Sequence, residues 1–268
     1  MSNSIHPSAV IEDGAQIGDN VKIGPFSHVG PNVVLKDGVE LLSHAVVVGH
    51  TTVGAKTRIF SFASIGHEPQ DLKYKGEKTT LEIGENCMIR EGVTMNPGTA
   101  GDNGKTIIGN NGVFLANAHV AHDCIIGDNV IFSNAVMVAG HCKVGDNVIM
   151  GGGAGVHQFC RIGRNAFVGG MAGLENDVIP YGIALGNRAY LGGLNLVGMK
   201  RAGIERDSIH QMRAAFKHVF SSDFTVAEAV QNIDADLMSD ENVAHMIEFI
   251  KASADRSLCT PRSKDDLG

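Results

Sequence analysis

The sequence predicts a parallel β-helix of hexapeptide repeats over residues 1–186 followed by an α-helical subdomain over residues 187–268. Three observations carry this. An aliphatic residue recurs at every sixth position from Ile5 to Ile65, resumes at Ile83, Ile89 and Met95, and runs again from Ile108 to Leu174. The residues between are small or polar, with recurring steps such as IGDNVK, IGENCM, IGDNVI and VGDNVI. From about Gly186 the six-residue period stops, and amphipathic helical patterns begin near Arg206.

A period of six excludes a helix, because 3.6 residues per turn would smear those positions around every face. It fits a triangular solenoid in which three six-residue strands make one coil and the aliphatic residue of each points into the prism, buried only when the next coil stacks on it. The Gly-Asp-Asn steps supply the positive-φ and side-chain-bonded residues that sharp corners demand. Two stretches interrupt the repeat, His67 to Thr80 (HEPQDLKYKGEKTT) and Gly98 to Thr106 (GTAGDNGKT). Both are too polar to fill the prism, so they are expected to loop out and overhang a neighbouring face, where substrate contacts are favoured. Helices are expected in RDSIHQMRAAFKHVFSS, TVAEAVQNIDADLMS and ENVAHMIEFIKASADR.

Composition narrows the function. A net charge of −7 argues against a surface that grips nucleic acid. The N-terminus lacks a signal-peptide pattern, and no stretch approaches the roughly 20 apolar residues of a membrane span, so the cytoplasm is the expected compartment. Five cysteines with no CxxC pair suit a reducing environment. Cys124, Cys142 and Cys160 recur at one place of the repeat and read as small core residues rather than a thiolate ladder. Between residues 188 and 217, Arg188, Lys200, Arg201, Arg206, Arg213 and Lys217 face only Glu205 and Asp207, which makes either a solvated face or a dock for a phosphorylated or acidic partner.

In such a prism, positions one coil apart stack at the strand spacing of roughly 4.8 Å. Positions 122, 140 and 158 therefore form a column of His, Gly and Gln, with Asp123 and His141 one place further along and His119 and His157 nearby. His122 is the candidate general base, Asp123 the group that orients it, and Gly140 a bare N–H for an oxyanion. His119, His122 and His141 also offer three metal ligands, but an i, i+3 pair in extended structure need not converge on one ion, and no metal or other cofactor is expected. No GxSxG or cysteine-nucleophile motif appears, so direct transfer is expected over a covalent intermediate.

The segments NAHVAHDCIIGDN, AGHCKVGDN, GVHQFCRIG and NLVGMKR, with PQDLKY in the first insertion, resemble the UDP-N-acetylglucosamine O-acyltransferase family over nearly the whole chain. The resemblance implies a left-handed coil, a homotrimer with active sites between prisms, and transfer of an (R)-3-hydroxyacyl chain from acyl carrier protein to the 3-hydroxyl of UDP-N-acetylglucosamine, opening lipid A biosynthesis. It assigns the base to His122, its support to Asp123 and the oxyanion site to Gly140. Gln70, Asp71, Lys73, His119, His141, His157 and Gln158 would hold sugar or acyl thioester, and Asn195 and Arg201 the nucleotide. Gly170 matches an acyl-length ruler, and its lack of a side chain implies room for a longer chain unless Arg188, near the same end, shortens the groove. Val197 stands where the family often has glutamate and Ala202 where it commonly has a second arginine, so nucleotide contacts are expected to be fewer or rearranged. A related N-acyltransferase is disfavoured because hexads already begin at Ile5, and a noncatalytic scaffold would leave the histidine cluster without purpose.

Overall fold

The structure is a computed structural model that describes residues 2–221, 224–252 and 254–262. The last six residues of the expected C-terminal subdomain lie outside that range. The described residues build three sheets whose strands come from every third segment of the chain, the arrangement of a three-sided coil. Register advances by one coil at a time: Val113 pairs Ile131, which pairs Ile149, and His119 pairs Met137, which pairs Gly155, all in parallel.

The apolar residues of the six-residue repeat fill the prism. Ile59, Ile65, Ile89, Phe114 and Phe132 are wholly buried, and each stacks on its equivalent in the next coil. Burying a side chain of this size contributes roughly 1.5–3 kcal/mol. Ile5, in the first described coil, is 44% exposed. The corners explain the Gly-Asp-Asn steps. Asn20, Asn129 and Asn147 take φ near +57°, at 57°, 56° and 58°. Asp128 Oδ1 accepts the Asn110 N–H at 2.6 Å, and Asp146 Oδ1 accepts the Asp128 N–H at 2.8 Å, so each carboxylate caps the corner one coil below.

Both insertions leave the prism and rejoin it at one place, since His50, Thr80 and Lys105 are stacked partners. The first loop is held at its base by Asn96, whose amide donates to the carbonyls of His67 and Glu68. The second leans across the adjoining coils and engages Asp123 and His141.

After Gly173–Leu174 the strand Gly182–Leu185 still pairs with Phe167–Val168 in parallel, then turns into an antiparallel hairpin with Tyr190–Leu194. The helices are α1 (Leu196–Arg201), α2 (Arg206–Val219), α3 (Val226–Gln231), α4 (Ala235–Met238) and α5 (Glu241–Lys251). Helix α1 was not expected from the sequence. Its six residues are too few for a periodic signal, and it begins where Asn195 Oδ1 accepts the Gly198 N–H. The second predicted helix is split in two, because Asp234 accepts from the Asp236 N–H and starts a new helix. No helix among the described residues is long and apolar enough to cross a membrane.

The cysteine column is core, as its place in the repeat implies. All five thiols are buried, and Cys124 and Cys142 donate to the carbonyls of Ala139 and His157, each at 3.2 Å. Burial pushes Cys160 up to about 12 and Cys259 up to about 11. Native protein is therefore expected to react with less than one equivalent of a thiol reagent at pH 8, and with five in denaturant. Fast native labelling of two or more thiols would contradict the inward placement.

Candidate active site

The His-Gly-Gln column predicted from the repeat is present. His122, Gly140 and Gln158 line one cleft of about 560 Å³ on the corner of three successive coils, with His119, His157 and Gln70 also at its wall. Asp123 adopts φ +58°, a left-handed corner conformation that Asp tolerates better than most residues. This turn points its carboxylate back toward the ring of His122, and His122 Nδ1 donates to Asp123 Oδ2 at 2.8 Å. With its proton on Nδ1, the imidazole presents Nε2 as the acceptor facing the cleft.

The carboxylate of Asp123 is inaccessible to solvent. It is held by two donors from the second insertion: the Thr99 N–H to Oδ1 at 2.9 Å and the Thr99 hydroxyl to Oδ2 at 2.6 Å. His141 Nδ1 donates to Asp102 Oδ2 at 2.8 Å, from the same insertion. Its ring meets His122 edge-on, with centroids 4.9 Å apart, and stacks on Phe159 at 4.5 Å. His141 thus packs against the base and is held by the second insertion. His119 lines the cleft, and its Nδ1 lies 2.7 Å from the Thr94 hydroxyl. Burial, and then the proximity of His122, hold His119 below the usual imidazole range and favour its neutral form.

Gly140 fits against the base so closely that a Cβ built there would sit 2.6 Å from Cε1 and 2.8 Å from Nε2 of His122. Only glycine allows that approach. Its carbonyl accepts from Phe159 N, whereas its N–H has no backbone acceptor among the described residues and can serve an incoming oxyanion.

The remaining expected residues are distributed elsewhere. Asp71 Oδ1 accepts the Lys73 N–H at 2.9 Å and shapes the first loop, and neither residue lines the cleft within this chain. Gly170 stacks on Gly152, whose carbonyl would lie 3.3 Å from a Cβ there. Asn195 caps α1 and donates to the Asn165 carbonyl at 3.1 Å, and Arg201 is the exposed last residue of α1. Val197 is exposed on that helix, and Ala202 is its C-cap.

The donor atoms that converge are those of His122, Asp123 and His141, within 4.8 Å of one another; Asp123 stands where His119 was expected in the trio. The two Nδ1 atoms already pair with Asp123 and Asp102, so the set works as two imidazole–carboxylate pairs side by side. Thr94, Thr99 and Asp102 were missed in the sequence because the insertions break the ladder that relates positions one coil apart.

A stacked hexapeptide coil with a carboxylate-oriented imidazole and a bare amide in one cleft defines a transferase of the hexapeptide-repeat class. Residues 2–31 and 14–49 match the bacterial transferase hexapeptide (six repeats) family, and residues 177–259 match the second domain of UDP N-acetylglucosamine O-acyltransferase. The chain belongs to the acyl-[acyl-carrier-protein]–UDP-N-acetylglucosamine O-acyltransferase family. It is 57% identical to that enzyme of Mesorhizobium japonicum over 100% of this chain and 96% of the relative, and 55% identical to that of Rhizobium johnstonii over 97% and 96%. The solved LpxA of Acinetobacter baumannii superposes with a TM-score of 0.90 at 41% identity, covering 96% of this chain and 99% of that one. The enzyme of Moraxella catarrhalis gives 0.91 at 42%, covering 95% and 99%. With membership of this family, the coil is left-handed, against the usual right-handed crossover preference.

Proposed function

We propose that this protein transfers an (R)-3-hydroxyacyl chain from acyl carrier protein to the 3-hydroxyl of UDP-N-acetylglucosamine, the first step of lipid A biosynthesis, by direct attack. The observation that carries the mechanism is the pairing of His122 with buried Asp123 directly against Gly140. His122 Nε2 takes the proton of the sugar hydroxyl as its oxygen attacks the thioester carbonyl. Asp123 stabilises the imidazolium, and the Gly140 N–H binds the oxyanion. Collapse of the intermediate expels the carrier thiolate, which recovers the proton from His122. No cofactor enters these steps.

His119, His157, Gln158 and Gln70 bind substrate at the cleft wall, and His141 holds the base. Gly170 leaves the acyl path open to a longer chain. The other contacts need a second chain. Leu72 is fully exposed at the tip of the first loop, Phe26 and Phe62 are 62% and 67% exposed on one corner, and Met137 is 54% exposed beside the cleft. Apolar groups on this scale call for a partner surface, and a homotrimer would cover them while bringing Asp71, Lys73, Asn195 and Arg201 of neighbouring copies to each cleft. Acyl carrier protein, being acidic, docks on α2, where His210, Arg213 and Lys217 surround a hollow of about 420 Å³ floored by Leu194, Leu196 and Phe216. The reaction belongs in the cytoplasm.

Purified protein is expected to release carrier thiol only when both the acyl carrier thioester and the UDP-sugar are present. Release without the sugar would point to a hydrolase and overturn the assignment. Arg201→Ala is expected to raise the KM for the UDP-sugar about tenfold, ~1.4 kcal/mol, with kcat little changed. An unchanged KM would remove Arg201 from the phosphate site.

A further inference from the structure

The C-terminal segment reaches back to the cleft. The third sheet ends at Arg161–Ile162, where Ile162 bridges Val178 and, one residue earlier, Asp177 bridges Leu258 in parallel. The Asp177 N–H donates to the Ser257 carbonyl and the Cys259 N–H to the Asp177 carbonyl, both at 2.8 Å. The fully buried Asp177 carboxylate takes the backbone N–H and Nε of Arg161, both at 2.7 Å. These bonds lay the segment as a strap across the end of the prism and bring Arg256 to the corner at residues 157 and 158. Its Nε donates to the Gln158 carbonyl at 3.0 Å, and its terminal nitrogen donates to His157 Nδ1.

A guanidinium has five donors and no acceptor, so the His157 Nδ1 that it faces must be unprotonated. The proton then sits on Nε2. Nδ1 also lies 3.2 Å from the Gln158 carbonyl, which is the partner it would take if it carried the proton. Arg256 occupies both ends of that alternative: it donates to Nδ1 and supplies the carbonyl with a different donor. We propose that Arg256 is a positioning residue for the transfer, fixing His157 as the Nε2–H tautomer so that it offers the cleft an N–H donor for a substrate oxygen. Without Arg256, His157 turns to the Nδ1–H form, bonds the Gln158 carbonyl and presents an acceptor instead. This inference rests on the assignment of the cleft as the acyl-transfer site.

The test uses the full-length chain with Arg256→Ala and Arg256→Met, the latter keeping an apolar stem in case alanine fails to fold. Nitrogen-15 NMR of the histidine rings reads the tautomer directly. His157 is expected to be Nε2–H in the parent and Nδ1–H in both variants, with kcat/KM for the acyl donor lowered about fivefold to tenfold. Arg256→Lys is expected to restore most of the activity, and adding Arg256→Ala to His157→Ala is expected to cost nothing further. An unchanged tautomer, or losses that multiply in the double variant, would overturn the proposal. If the parent lacks acyl transfer altogether, the functional assignment fails while the tautomer measurement still decides whether Arg256 controls His157.

Discussion

His122→Ala is expected to lower kcat for acyl transfer by about 10³-fold, the scale of losing a general base, with the fold retained. The side chain belongs to the cleft and not to the prism, so its removal opens no core cavity. Asp123 would lose one donor but keep both donors of Thr99, so its buried carboxylate does not become an unpaired charge. A stability loss of about 1 kcal/mol is expected. Initial rates at saturating substrate, together with a melting curve, separate the two effects. Near-full activity in a folded His122→Ala protein would end the general-base mechanism.

Gly140→Ala is expected to lower kcat about 10²-fold, for a reason specific to the stacking. The new methyl would meet Cε1, Nε2 and Nδ1 of His122 at 2.6, 2.8 and 3.1 Å. The ring cannot retreat without surrendering its bond to Asp123 or its edge contact with His141. The Gly140 N–H survives the substitution, so a lost rate reports displacement of the base and not a deleted donor. The corner itself tolerates alanine, since Gly140 is not among the residues with positive φ. Melting within a few degrees of the parent is therefore expected. An alanine variant of full activity would mean that His122 does not work from the position it holds against Gly140.

Both predictions trace to what was legible in the chain. A six-residue aliphatic period specifies an inward face on each side of a prism, and between Ile108 and Leu174 the repeat is unbroken. Residues one coil apart therefore superpose there, and the column of His122, Gly140 and Gln158 could be read by counting. The groups that hold that column could not. Thr99 and Asp102 sit in an insertion that follows no period, and Thr94 lies one coil below His119 with that insertion between them. Arg256 meets His157 across 99 residues of sequence. Their positions follow from how loops and strap fold back on the coil, which depends on packing and not on spacing. His141 shows the same limit: its place in the ladder was right, but its orientation, turned to Asp102 and Phe159, comes from contacts no repeat encodes.

Formation of an ester between a hydroxyacyl chain and a nucleotide sugar by direct attack in this cleft is open to direct measurement. Mass spectrometry of purified protein incubated with a mixture of 3-hydroxyacyl carrier thioesters and UDP-N-acetylglucosamine tests it most directly. The expected result is a UDP-sugar heavier by one hydroxyacyl group, taken from the longer thioesters, with unmodified protein throughout. A protein mass increased by an acyl group that chases into product, or no acylated UDP-sugar at all, would contradict it.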